Sequence, residues 1–165
     1  MGVFSIAVQK TPFLLISEDK GAVGLVSDRT LNITDNKPTQ FTATVWMRSY
    51  QLDQIVSPAE AGQQREGQFL CDNGTCMAQK TSGLKVAVIE KQVNGDLSCP
   101  DGDIIVLSPN IHIANCHPRQ KVINETLFAW KGSILVTEDG RIISSIKSGS
   151  SRPWNEHRRY LQALR

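Results

Sequence analysis

The apolar residues of this chain come in short runs, each closed by a cluster of Gly, Asn, Asp, Ser or Pro. Runs of that length between turn residues read as strands. Phe13-Leu14-Leu15-Ile16-Ser17 is the first and reads as buried. Glu18-Asp19-Lys20-Gly21 turns the chain, with Gly where positive φ is needed. Residues 22–27 return as a second strand, and Ser27-Asp28-Arg29-Thr30 turns again. Leu31-Asn32-Ile33-Thr34 alternates, as a third strand with one wet face does. The three form a β-meander, which Asn36-Lys37-Pro38 breaks. Thr39 or Thr42 then caps a short helix. In it Phe41, Val45, Met47 and Arg48 are spaced over one or two turns, and Trp46 and Tyr50 lie four apart on one face.

Residues 57–67 are polar and read as a loop, or as a short helix opened by Ser57-Pro58. Gln68-Phe69-Leu70-Cys71 and Cys76-Met77-Ala78-Gln79-Lys80 flank Asp72-Asn73-Gly74-Thr75. Asn-Gly between two strands signals a hairpin, because both residues tolerate left-handed φ. Residues 84–90 supply the third strand of this second meander, and 92–102 are turn-rich. Asp103-Ile104-Ile105-Val106-Leu107-Ser108 reads as a central buried strand ended by Pro109. The last third changes rhythm. Lys121-Val122-Ile123 is a strand, and Asn124 N-caps a helix through Thr126, Leu127, Phe128, Ala129 and Trp130 that Gly132 stops. Residues 133–137 and 141–146 pair across Glu138-Asp139-Gly140. The expected class is α+β (mixed α/β): two β-meanders plus a strand-helix-strand-strand unit. One domain spans 1–147. A basic C-terminal tail follows over 148–165, opening on a Ser/Gly linker, with 158–165 as a final helical turn or two.

Composition narrows the class. The chain is 40% apolar and 21% charged, which supports a folded core and excludes disorder throughout. No apolar stretch reaches the roughly 18 residues needed to span a bilayer. The net charge of +2 demands no nucleic-acid or membrane partner globally. It is unevenly placed, however. Arg141, Lys147, Arg152, Arg158, Arg159 and Arg165 face one acid, Glu156, so this end carries +5 and residues 1–140 carry −3. At the other end, residues 1–8 lack a basic region and a small-residue cleavage site. They read as an edge strand or the last turns of a membrane helix, not as a signal peptide.

Four cysteines offer two chemistries. Zinc knuckles want two closely spaced pairs. Cys71-x4-Cys76 is borderline for that, and Cys99 and Cys116 are too far apart in sequence. Disulfides fit better. Cys71 and Cys76 stand across the hairpin, near the roughly 5.5 Å Cα separation a bridge prefers. Cys99 and Cys116 flank the central strand. Of three possible connectivities, 71–76 with 99–116 is preferred, and it implies an oxidising compartment. Four reduced thiols in a cytosolic core are the alternative. His112, His117 and His157 form no ligand string, and Asp101, Asp103, Glu138 and Asp139 sit at turns where acids are expected anyway. No metal, cofactor or nucleophile constellation emerges, so neither catalytic nor metal-binding residues are expected. Asn32, Asn73 and Asn124 begin Asn-x-Ser/Thr triplets, which matter only in a eukaryotic secreted protein.

The order of local patterns is similar to one family. Thr11-Pro12-Phe13-Leu14-Leu15-Ile16-Ser17 with Glu18-Asp19-Lys20-Gly21 opens it, and Phe41-Thr42-Ala43 with Trp46-Met47-Arg48 follows. Phe69-x-Cys71-Asp72 with Cys76 comes next, then Cys99 before Asp103-Ile104-Ile105-Val106. Cys116, Val122-Ile123-Asn124, Leu127 and Lys131-Gly132 continue it, and Arg152-Pro153-Trp154 closes it. Taken together, the set resembles the C-terminal region of the ComEC family of competence proteins, of the α-proteobacterial type, over nearly the whole chain.

That resemblance implies an inner-membrane channel for single-stranded DNA in transformation, joined to a metallo-β-lactamase-like region outside the membrane. The channel's membrane helices and the nuclease's metal-binding histidines have no counterpart here. Three scattered histidines cannot supply the roughly five or six ligands of a two-metal site. The expected role is therefore a non-catalytic, membrane-associated domain in DNA uptake. It sits on the periplasmic face of the inner membrane, or in the cytoplasm if the cysteines are reduced. Single-stranded DNA and the family's channel portion are the expected partners. A degenerate nuclease with ligands supplied elsewhere, and an inactive remnant, are the alternatives. Lys147, Arg152, Arg158 and Arg159 are candidate phosphate contacts, with Trp154 stacking on a base. The plainer picture packs Trp154 with Pro153 against the core and leaves the arginines solvated.

Overall fold

The computed structural model describes residues 12–18, 22–34, 40–60, 63, 65–80, 82–91 and 98–146. The elements are β1 (Pro12–Ile16), β2 (Val23–Ser27), β3 (Thr30–Ile33), α1 (Gln40–Ser49), β4 (Gln54–Val56), β5 (Leu70–Asp72), β6 (Thr75–Gln79), β7 (Lys85–Ile89), β8 (Ile104–Leu107), β9 (Lys121–Ile123), α2 (Glu125–Lys131), β10 (Ile134–Thr137) and β11 (Ile142–Ser144). The expectations for residues 1–8, for a cap at Thr39, for a linker from Lys147 and for the tail to 165 lie outside the described residues.

The class is α+β, built on two sheets. The first runs β11-β10-β1-β2-β3-β4 and the second β5-β6-β7-β8-β9. Short turns make the meanders antiparallel. Ser27 pairs with Thr30 across Asp28-Arg29, both at positive φ. Asp72 pairs with Thr75 across Asn73-Gly74, again both at positive φ. The second sheet then turns parallel across β7-β8-β9. Parallel neighbours need long crossovers, and the chain supplies them between β7 and β8 and between β8 and β9. The strand-helix-strand-strand unit is divided between the sheets. β9 closes the second, and α2 carries the chain over to β10 and β11 at the edge of the first. Asn124 accepts the Leu127 N–H at 3.1 Å and starts α2, while Gly132, at φ 69°, ends it.

Alternation along the strands divides their side chains between three layers. Leu14, Ile16, Leu25, Val86, Val88, Ile104, Val106 and Val136 fill the space between the sheets. Phe13 joins them although it neighbours Leu14, because a register shift between Pro12 and Leu14 rotates the strand there. Burying a side chain of this kind stabilises by about 1.5–3 kcal/mol. Leu15, Val26, Leu31 and Ile33 face outward from the first sheet and are covered by α1. Ala87, Ile89, Ile105 and Leu107 face outward from the second and are covered by Ile111, Ile113 and the Cys99 and Cys116 pair.

The structure departs from the sequence expectations in two places. The covering face of α1 is Ala43, Trp46, Met47 and Tyr50, spaced i, i+3, i+4, i+7. Phe41 and Val45 lie on another side and are 81% and 43% exposed. The Ala43 stripe wins because Gly24 leaves a gap in β2 for the Trp46 ring: a Cβ there would stand 2.7 Å from Leu31 Cδ1 and 3.2 Å from Trp46 Cζ3. The second is β4, over residues for which the sequence suggested no element. It runs parallel to β3, with Arg29 pairing Asp53 at 2.8 Å beside it. Its three residues are mostly exposed and carry no alternation to announce a strand. Residues 57–60 and 65–67 contain no helix, and Ala59 forms a single bridge to Leu70.

Candidate functional site

Four strands end at the same end of the sandwich. Ser17 follows β1, Thr34 follows β3, Glu90 follows β7 and Ser108 follows β8. Each is held by its own backbone N–H. Ser17 donates to Ala22 O at 3.0 Å, Thr34 to Val23 O at 3.3 Å, Glu90 to Gly74 O at 2.8 Å and Ser108 to Ile89 O at 2.9 Å. These four residues rim a solvent-open cleft between the sheets. Its walls are apolar: Ile16, Val23, Val88, Val106, Leu107, Pro109 and Phe128. Carboxyl ends of parallel strands are a common position for ligand sites in open α/β sheets, since connecting loops converge there.

Both expected bridges form beside this framework. Cys71 and Cys76 are directly opposed in the β5–β6 ladder, Cα to Cα 4.0 Å, closer than the sequence suggests. Their sulfurs lie 3.7 and 3.9 Å from the Thr34 carbonyl oxygen, so this staple presses the second sheet against the cleft wall. Cys99 and Cys116 are joined with Cα atoms 5.0 Å apart. They tie the two ends of the irregular cover over the second sheet, next to a Ser98–Ala114 bridge. Gln120 completes that cover. Its amide donates to Pro100 O at 3.0 Å and Gly102 O at 2.9 Å, and its carbonyl accepts the His117 N–H at 2.7 Å.

The turn acids serve structure. Asp101 pairs Lys85 at 2.6 Å, Asp103 accepts the Lys85 backbone N–H at 2.8 Å, and Glu138 pairs Lys80. Lys85 is raised above its ordinary value, first by its hydrogen bond to Asp101 and then by that charge. Asp139 is lowered, first by the Thr137 hydroxyl and then by Arg141, whose guanidinium stands 2.7 Å away. His112 and His117 are exposed, and His117 Nδ1 accepts the Arg119 N–H. Among the described residues no three His, Cys, Asp or Glu side chains gather to hold a metal ion. Nor is any helix there long and apolar enough to cross a membrane. Lys147, Arg152, Trp154, Arg158 and Arg159 lie outside the described residues, as does His157.

Sequence reasoning found the cysteines and missed the cleft. Ser17, Thr34, Glu90 and Ser108 are scattered along the chain and belong to no motif. Their shared signal is position: each is a polar residue immediately after a strand. Comparison with protein-family profiles, with curated proteins and with solved structures finds no match to this chain. The two disulfides fit an oxidising, extracytoplasmic setting.

Proposed function

We propose that this chain is the C-terminal domain of a ComEC-type DNA-uptake protein, standing on the extracytoplasmic side of the inner membrane beside its channel. It assists passage of single-stranded DNA and does not cut it. The observation that supports this reading is the pairing of the cysteines. Both pairs of the family-like pattern, Cys71 with Cys76 and Cys99 with Cys116, form local staples. Other family-like stretches fall on single elements: residues 12–16 on β1, Trp46-Met47-Arg48 within α1, Ile104-Ile105-Val106 within β8, and Asn124 to Gly132 on capped α2.

The DNA-handling part rests on the basic tail, where Lys147, Arg152, Arg158 and Arg159 meet phosphates and Trp154 stacks on a base. Deleting the coding segment in the source organism and supplying marked DNA tests the whole reading. Transformants are expected to disappear while surface DNA binding persists; an unchanged transformation frequency overturns it. Replacing Arg158 and Arg159 with Ala tests the tail, and unchanged affinity for single-stranded DNA at low salt removes that role. Stoichiometric transition metal in the purified protein, with cleavage of labelled single strands, would favour a metallo-β-lactamase-like nuclease instead.

A further inference from the structure

We infer that the cleft at the strand ends binds a small organic cation, an apolar body carrying one protonated amine, with Glu90 as its counter-ion. The inference needs only the cleft and stands apart from the DNA-uptake proposal. The cleft is open to solvent, and its walls suit an apolar body, with Val88 and Val106 on one side and Phe128 on another. Among the described residues no Lys, Arg or His lines it, and Glu90 brings the one formal charge there. Among the described residues that carboxylate has neither an ion pair nor a hydrogen bond, whereas Asp53, Asp101, Glu138 and Asp139 each have a cation.

A half-buried carboxylate against apolar walls interacts with charge through a lower effective dielectric than bulk water. An entering ammonium is therefore attracted and an entering carboxylate repelled. The Glu90 N–H bond to Gly74 O holds the base of the side chain in place. Nearby Ser108 offers a hydroxyl as a second acceptor, and charge-assisted hydrogen bonds of this kind are about twice as strong as neutral ones.

Benzylamine, benzyl alcohol and benzoate share size and differ in charge, which makes them the probes. Each is titrated into the full chain at pH 7 while the methyl resonances of Val88 and Val106 are followed by NMR. Benzylamine is expected to shift them saturably and to bind at least about tenfold tighter than benzoate. Glu90→Gln is expected to erase that preference, and Glu90→Asp to keep it, with the Leu15 and Leu31 methyls unmoved as a check on the fold. Equal binding of benzoate, no shift with any probe, or a preference that survives Glu90→Gln overturns the assignment.

Discussion

The outer faces of the two sheets are covered by different materials. On the first sheet α1 lays down Ala43, Trp46, Met47 and Tyr50. On the second sheet two irregular segments, one on each side of β8 in the chain, lay down Cys99 and then Ile111, Ile113 and Cys116. A helix satisfies its own interior backbone groups, so it needs only an apolar stripe and a surface to receive it. An irregular cover has no such internal ladder. Here it borrows one covalent bond, one strand-like bridge and the three hydrogen bonds of Gln120. Side-chain packing therefore carries one cover and specific chemistry carries the other.

That difference can be broken from either side. Replacing Cys99 and Cys116 together with Ser has the largest expected effect, a loss of about 3 kcal/mol from reopening a loop of this length. Urea unfolding measures it, and hydrogen exchange should speed up in 98–118 while α1 keeps its protection. On the helical side, Gly24→Val should cost about 2 kcal/mol by overpacking, since its side chain enters the space of Leu31 and the Trp46 ring. The exchange pattern should then invert, with α1 opening first.

Gln120→Ala should cost about 1–2 kcal/mol, because two carbonyls and one N–H lose their partner. Gln120→Glu keeps the acceptor for His117 and loses the donors to Pro100 and Gly102, so it separates the two ends of the amide. The smallest effect is alkaline. The native pKa of Lys85 lies above the ordinary 10.5, so its link to Asp101 stabilises fully below that pH and fades as pH climbs past it. Unfolding midpoints above pH 10.5 should fall faster in the native chain than in Lys85→Met. Parallel curves would show the link contributes nothing.

Much of this was legible in the sequence because it is local. The strand read at 13–17, found at 12–16, the Asn73-Gly74 turn, the Asn124 cap and the Gly132 stop are each decided by a few neighbouring residues. The cysteine pairing was legible for a similar reason, since one pair spans a hairpin and the other a single strand with its flanking loops. What escaped depends on distant partners. The exposed side of α1 is fixed by the gap at Gly24, and β4 exists because β3 offers it an edge. The sharing of the last unit between two sheets has no local signature. Gln120 looks like any polar turn residue until Pro100 and Gly102 are folded against it. The cleft is the extreme case, assembled from the ends of four strands.

The central claim is that two oxidised staples hold this architecture in the cell. Trapping the protein in its source cells with an alkylating reagent, then mapping disulfide peptides by mass spectrometry, tests it directly. The expected result is no alkylated cysteine, with Cys71 linked to Cys76 and Cys99 linked to Cys116. Four alkylated cysteines, or a crossed pairing, would contradict it.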